Sequence, residues 1–122
     1  MSQDLKEVTR VMNLYIDGAG KGNADQMNEA FHSSARWFGT MDGVDYDMDK
    51  EGFVAYMVET PGLPSKAEIV DIQIDGSAAR ATVKEEGFWE TISFTNFFNL
   101  SILDGRWQIT NKTFAATGGG HA

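Results

Sequence analysis

The chain of 122 residues contains no cysteine, only two prolines, and ten basic side chains against eighteen acidic ones. Without cysteine there is no disulfide scaffold, no thiol nucleophile and no cysteine-based zinc or iron–sulfur centre. A formal charge of −8 disfavours DNA, RNA and anionic membrane surfaces, which select basic patches. The apolar runs are only a few residues long, so no segment is expected to span a bilayer. The opening MSQDLKEV lacks the basic and apolar regions of a secretory signal, so a cytoplasmic location is expected. The two histidines are His32 and His121, and His121 falls in a glycine-rich tail. One usable histidine excludes a His-rich metal centre, so neither metal nor cofactor is expected.

What the chain does have is aromatic bulk: eight Phe, three Trp and three Tyr. Its length suits one domain with a real core. Leu5, Val8, Met12, Tyr15 and Ile16 recur at helical spacing over residues 3–18, with Ser2 as N-cap and Asp4 in the first turn. The Gly18–Gly22 stretch ends that helix. Asn23 opens a second, with Gln26 at capping-box spacing and an expected end near His32–Ser34. A short strand follows from Ala35 to Met41, and residues 42–51 read as an acidic loop. Asp49 caps a third helix carrying Phe53, Val54, Tyr56 and Met57, which Thr60-Pro61-Gly62-Leu63-Pro64 stops. Strands are expected over 67–74, 78–84, 91–103 and 106–114, paired through Asp75-Gly76 and Asp104-Gly105 turns. The order ααβαββββ predicts an α+β domain over 1–116 and a flexible tail over 117–122. Its fold would be a curved antiparallel sheet with three helices packed on the concave side, a cone enclosing a pocket.

Polar residues that interrupt apolar faces are the candidates for function. On the long strand Ile92, Phe94, Asn96, Phe98, Leu100 and Ile102 share one face, which places Asn96 inside an apolar surface. A buried amide without partners costs about 1–3 kcal/mol, so Asn96 needs an internal partner, a water or a ligand. On the last strand Trp107, Ile109, Asn111 and Thr113 share the inward face by simple alternation, with Gln108, Thr110 and Lys112 opposite. His32 is either a structural residue at a helix C-terminus or, if it points into the cavity, a general base. Trp37, Phe38, Tyr56, Trp89, Phe94, Phe98 and Trp107 are core residues or the walls of a pocket for a small hydrophobic or aromatic ligand.

Three motif matches fail. Asp45-x-Asp47-x-Asp49 begins like a calcium loop, but Lys50 stands where Gly is required and Tyr56 where the bidentate Glu belongs. The glycines of Gly18–Gly22 follow a helix rather than a strand, unlike a phosphate loop. No G-x-S-x-G elbow occurs.

Tyr15-Ile-Asp-Gly18, Phe31-His32-Ser-Ser-Ala35, Phe94-Thr-Asn96-Phe-Phe and Leu103-Asp-Gly-Arg-Trp107-Gln-Ile-Thr-Asn111-Lys112-Thr-Phe114 together resemble the nuclear-transport-factor-like superfamily. That is the cone-shaped α+β fold shared with steroid isomerases and SnoaL-type cyclases. Within it, the chain most resembles a group labelled "putative lumazine-binding". The resemblance implies a homodimer and specifies fold better than reaction. Where the family usually has His-Pro-Asp-Ala, this chain has His32-Ser33-Ser34-Ala35, and where it usually has a strand Asp, this chain has Asn96. Tyr15 matches the oxyanion-binding tyrosine of steroid isomerases, but their catalytic Asp would fall at Gly39, so that reaction is not expected. Three functions follow. The first is small-molecule binding oriented by His32, Asn96, Tyr15 and Asn111. The second is an isomerase, dehydratase or cyclase with His32 as base and Tyr15 or Asn96 on the oxyanion. The third is a dimerising scaffold whose polar core residues satisfy one another.

Overall fold

The protein is described by a computed structural model covering residues 3–119. Ser2 and His121 lie outside that range. Helix α1 spans Gln3–Lys21, α2 Ala24–Ala30 and α3 Lys50–Glu59; the strands are β1 Phe31–Met41, β2 Val44–Asp49, β3 Lys66–Asp75, β4 Ala78–Phe88, β5 Ile92–Leu103 and β6 Arg106–Gly119. The strands form one open curved sheet in the order β2-β1-β6-β5-β4-β3. The architecture is the expected α+β cone, with two corrections to its wiring. The acidic stretch is a strand, β2, antiparallel to β1, so the order is ααββαββββ. The sheet is also mixed, because β1 runs parallel to β6 while the other neighbours are antiparallel.

Local chemistry accounts for most boundaries. Asn23 and Asp49 cap α2 and α3 by accepting hydrogen bonds from the backbone N–H groups of Gln26 and Gly52. Val8, Val11, Met12, Tyr15 and Ala19 form the buried face of α1. Trp107 Nε1 donates to Asp4 Oδ1 at 3.0 Å, tying the start of α1 to β6. Strand β2 is amphipathic: Tyr46 and Met48 are half-buried, while the aspartates face out. There Asp45 accepts from Thr40 Oγ1 and Asp47 pairs with Arg36, so the acids hold the β1–β2 hairpin. No helix among the described residues is long and apolar enough to cross a membrane.

Two further boundaries move. α2 ends at Ala30 rather than near Ser34, and the chain turns directly into β1, so His32 lies on a strand. Thr117–Gly119, expected in the tail, continue β6, with Gly119 opposite Ile92.

The largest consequence comes from a one-residue irregularity. Asn99 pairs with Asn111 and Leu100 with Ile109, which leaves Thr110 as an extra residue on β6. Such a bulge reverses the side-chain alternation beyond it. Trp107 and Ile109 face the core before the bulge; after it Lys112 faces inward and Thr113 is exposed. Asn111, expected inward, is turned outward, where its Oδ1 accepts from Asn99 Nδ2 at 2.8 Å.

Candidate functional site

The inward face of the sheet carries three charged or amide groups within one neighbourhood. Strand β4 presents Ala79, Ala81, Val83 and then Glu85 to the interior; β5 presents Asn96, and β6 presents Lys112. Glu85 is 3% exposed, Asn96 0% and Lys112 7%. Tyr15, fully buried on α1, supplies a fourth member from the helix layer.

These four groups are linked in sequence. Lys112 Nζ donates to Tyr15 Oη at 3.0 Å. Tyr15 Oη donates to Glu85 Oε1 at 3.4 Å, and Asn96 Nδ2 donates to the same oxygen at 2.6 Å. Lys112 and Glu85 are not in direct ionic contact; the tyrosine hydroxyl stands between them. Aromatic faces surround the ammonium, with the Tyr15, Phe53 and Phe114 ring centroids 5.0, 5.1 and 5.6 Å from Nζ.

Burial sets the proton affinities. It lowers the Lys112 amine from an ordinary value near 10.5 to about 8, with the Glu85 charge opposing the shift. It raises the Glu85 carboxyl, against the pull of Lys112, Asn96 and Tyr15. Burial and the Glu85 charge also push the Tyr15 hydroxyl well above its ordinary value, so the phenol stays protonated and can donate.

The quartet is not closed on itself. Both donors to Glu85 use Oε1, which leaves Oε2 for another partner. Lys112 uses one of its three N–H donors. Asn96 Oδ1 has no protein donor. Glu85 and Lys112 also line a cleft whose other walls are Met41, Tyr46, Met48, Phe53, Tyr56, Met57, Phe88, Trp89, Phe94 and Phe114. The cleft holds a cavity of about 40 Å³ within an opening of about 400 Å³ that includes its mouth. In this conformation the inner space suits a small group or a few waters, and the mouth offers room for more of a ligand.

Of the residues singled out in the sequence, Tyr56, Trp89 and Phe94 line this cleft, Tyr15 and Asn96 lie beneath it in the quartet, and Phe38 is exposed on the outer face. Trp37 and Phe98 are core behind it: Trp37 stacks on Phe53 at 4.2 Å, and Phe98 meets the Tyr15 ring at 4.8 Å. Trp107 is engaged with Asp4 and Asn111 with Asn99. His32 does not line the cleft; its Nδ1 accepts from the Ser34 backbone N–H at 3.0 Å. Neither Glu85 nor Lys112 stood out in the sequence. Glu85 was legible, because extending the β4 alternation beyond Lys84 turns it inward. By simple alternation Lys112 falls on the outer face; Phe114, apolar and in phase with it, is the one trace of the bulge that turns both inward.

Gly39 has its own consequence. It pairs with Phe114 across β1 and β6, and a Cβ at Gly39 would sit 2.4 Å from the Phe114 ring. The space a side chain at 39 would need is filled by that ring. Position 39 is therefore closed to a side chain by packing.

The family described as "Putative lumazine-binding" matches residues 3–115. An NTF2-like protein of unknown function from Methylobacillus flagellatus is 29% identical, with TM-score 0.85 over 97% of this chain and 95% of that one. One from Shewanella baltica is 28% identical, with TM-score 0.85 over 94% of each. A ketosteroid isomerase-like protein from Erwinia carotovora shares the fold at TM-score 0.78 over 97% of this chain and 99% of that one, but is only 14% identical. Among characterised proteins, the aldolase FrzH from Cladobotryum is 24% identical over 114 residues, spanning 93% of this chain and 91% of that protein.

Proposed function

Since the chain belongs to the "Putative lumazine-binding" family of nuclear-transport-factor-like folds, we propose that it binds a flat, mostly apolar small molecule through the Glu85–Lys112 cleft. A ligand atom that accepts hydrogen bonds would take an N–H of Lys112, and a ligand donor would reach Glu85 Oε2. Phe88, Trp89, Phe94 and Phe114 supply flat contact area. The observation that carries this reading is a polar quartet with unused hydrogen-bonding capacity opening onto an apolar cleft. A purely structural network of this kind is expected to satisfy its own members. The proposal moves the orienting role from His32 and Asn111 to Lys112 and Glu85, and keeps Tyr15 and Asn96.

Native mass spectrometry of the purified protein tests this, backed by titration with benzyl alcohol followed through intrinsic tryptophan fluorescence. A retained mass that is lost on denaturation, or saturable binding weakened by Phe94→Ala, supports the reading. A clean mass together with no saturable binding overturns it.

A second reading, catalysis on a carbonyl compound, has support in the 3.0 Å contact of the Lys112 amine with the Tyr15 hydroxyl and in the aldolase relative. The homodimer belongs to the proposal as well: Phe38 and Phe97 lie exposed on the sheet face turned away from the core. Multi-angle light scattering at micromolar concentration tests it, and a monomer mass removes it.

A further inference from the structure

We propose that Lys112 is a covalent anchor, its side-chain amine condensing with the carbonyl carbon of an aldehyde or ketone held in the cleft to form an iminium. The inference rests on the cleft being a small-molecule site and goes further by naming the ligand's reactive group.

The geometry supplies what the reaction requires. Lys112 enters the cleft from β6 among rings rather than carboxylates: Tyr15 from α1, Phe53 from α3 and Phe114 from its own strand. The titratable groups facing it are Tyr15, Glu85 on β4, and the cleft tyrosines Tyr46 on β2 and Tyr56 on α3. One carboxylate, held off by an intervening hydroxyl, is too little to keep the amine firmly protonated. With a value of about 8 against an ordinary 10.5, it is neutral about 300-fold more often at neutral pH than a surface lysine. A lysine desolvated in this manner is a nucleophile.

The atoms balance without any redox partner. The nitrogen lone pair forms the C–N bond as the carbonyl π pair moves onto oxygen. The nitrogen gives up one proton and the oxygen gains one, and Tyr15 Oη, 3.0 Å from Nζ and hydrogen-bonded to Glu85, is placed to pass it. A further proton, from the Glu85 carboxyl or solvent, converts the hydroxyl to water, which leaves as the nitrogen pair closes the C=N bond. Amine, carbonyl and one proton thus become iminium and water. The positive charge then rests where the rings already accommodate a cation.

The other lysines provide internal controls. The amine of Lys50 is also lowered by burial, but it donates to the Asn28 carbonyl at the surface and does not line the ring-walled cleft.

The experiment incubates the intact protein with benzaldehyde and sodium cyanoborohydride near pH 7, which reduces any iminium to a stable benzyl amine. Digestion and mass spectrometry then locate the label, with the α-amino group scored separately. The expected result is labelling at Lys112 at least about tenfold faster than at Lys50 or any other lysine, rising with pH to a midpoint near 8. Benzyl alcohol, which resembles the probe but lacks the carbonyl, should compete. Lys112→Arg should abolish the label, and the pH profile of the unaltered protein stands whether or not that variant folds. Labelling spread evenly over the lysines, or failing at Lys112 while benzyl alcohol still binds, overturns the covalent step and leaves the binding site standing. Failure of both probes to bind overturns the two together.

Discussion

The aromatic interior has two ends, built from the same residue types and packed differently. At the closed end Trp37 stacks on Phe53 at 4.2 Å and tilts against Phe31 at 4.4 Å, while Phe31 meets Tyr15 and Phe53 edge to face at 5.9 Å and Tyr15 meets Phe98 at 4.8 Å. At the mouth Phe88, Trp89, Phe94, Phe114, Tyr56 and Tyr46 meet at 4.8–6.1 Å, edge to face or tilted, with no stacked pair among them. Trp37, fully buried, faces only other side chains, whereas the edge-to-face rings at the mouth also line the cleft. Lys112, Glu85 and Asn96 lie where one regime gives way to the other. Aromatic content thus does not distinguish core from binding wall; the packing of neighbouring elements does.

Truncation should separate the two ends most strongly. Trp37→Ala removes a fully buried, stacked ring and is expected to cost about 3–5 kcal/mol of stability. Trp89→Ala, at the half-buried mouth, should cost about 1–2 kcal/mol, since less packing is lost there. Urea denaturation of both variants measures the difference, and equal losses would erase the distinction.

The boundary between the ends is probed next. Glu85→Leu leaves the Lys112 ammonium buried without the charge that opposes its desolvation and should cost about 1–3 kcal/mol. Adding Lys112→Met should restore most of it, because the double variant has no uncompensated charge. A double-mutant cycle by thermal unfolding reads the coupling, and strict additivity would show that the two groups act independently.

Proton linkage gives a smaller effect of predictable sign. Lys112 holds its proton less tightly folded, at about 8, than unfolded, near 10.5. Its penalty is complete below about 8 and is relieved as pH rises toward 10.5, where the unfolded chain still binds the proton. Lys112 should therefore add about 2 kcal/mol of stability between roughly pH 7 and 9.5, a rise absent from Lys112→Met. Glu85, its carboxyl raised by burial, acts oppositely at the acid end: stability falls as pH climbs through its folded value. Chemical denaturation across that range, wild type against Lys112→Met, isolates the lysine contribution.

The two asparagines complete the comparison. Asn96→Leu removes a donor to a buried carboxylate and should cost about 1–3 kcal/mol. Asn111→Ala, on the outer face, should stay within about 0.5 kcal/mol. Thermal melts of both suffice; a large loss at Asn111 would mean that the β6 bulge lies elsewhere.

Much of the fold was legible in the residues. Asn23 and Asp49 cap the helices as expected, and the even positions of β5 are buried from Ile92 to Leu100. β2 was missed because its aspartates read as a loop, although Tyr46 and Met48 alternate with them. The site was half legible. Asn96 stood out as a polar group on an apolar face, Tyr15 through the resemblance to steroid isomerases, and Tyr56 and Phe94 as aromatics, while His32 drew attention by its chemistry and its expected place at a helix end.

What the sequence determined by itself is local: helices from periodicity and caps, strands from alternation, turns from Asp-Gly, and an α+β order resulting from their succession. These depend on interactions within a few residues, which composition and spacing record directly. What only the tertiary structure decided is which polar groups meet. Tyr15, Glu85, Asn96 and Lys112 come from α1, β4, β5 and β6, and their meeting depends on strand register. One extra residue at Thr110 exchanges Asn111 for Lys112 on the inner face. Register is set by pairing energy summed over whole strands, so no single residue announces it.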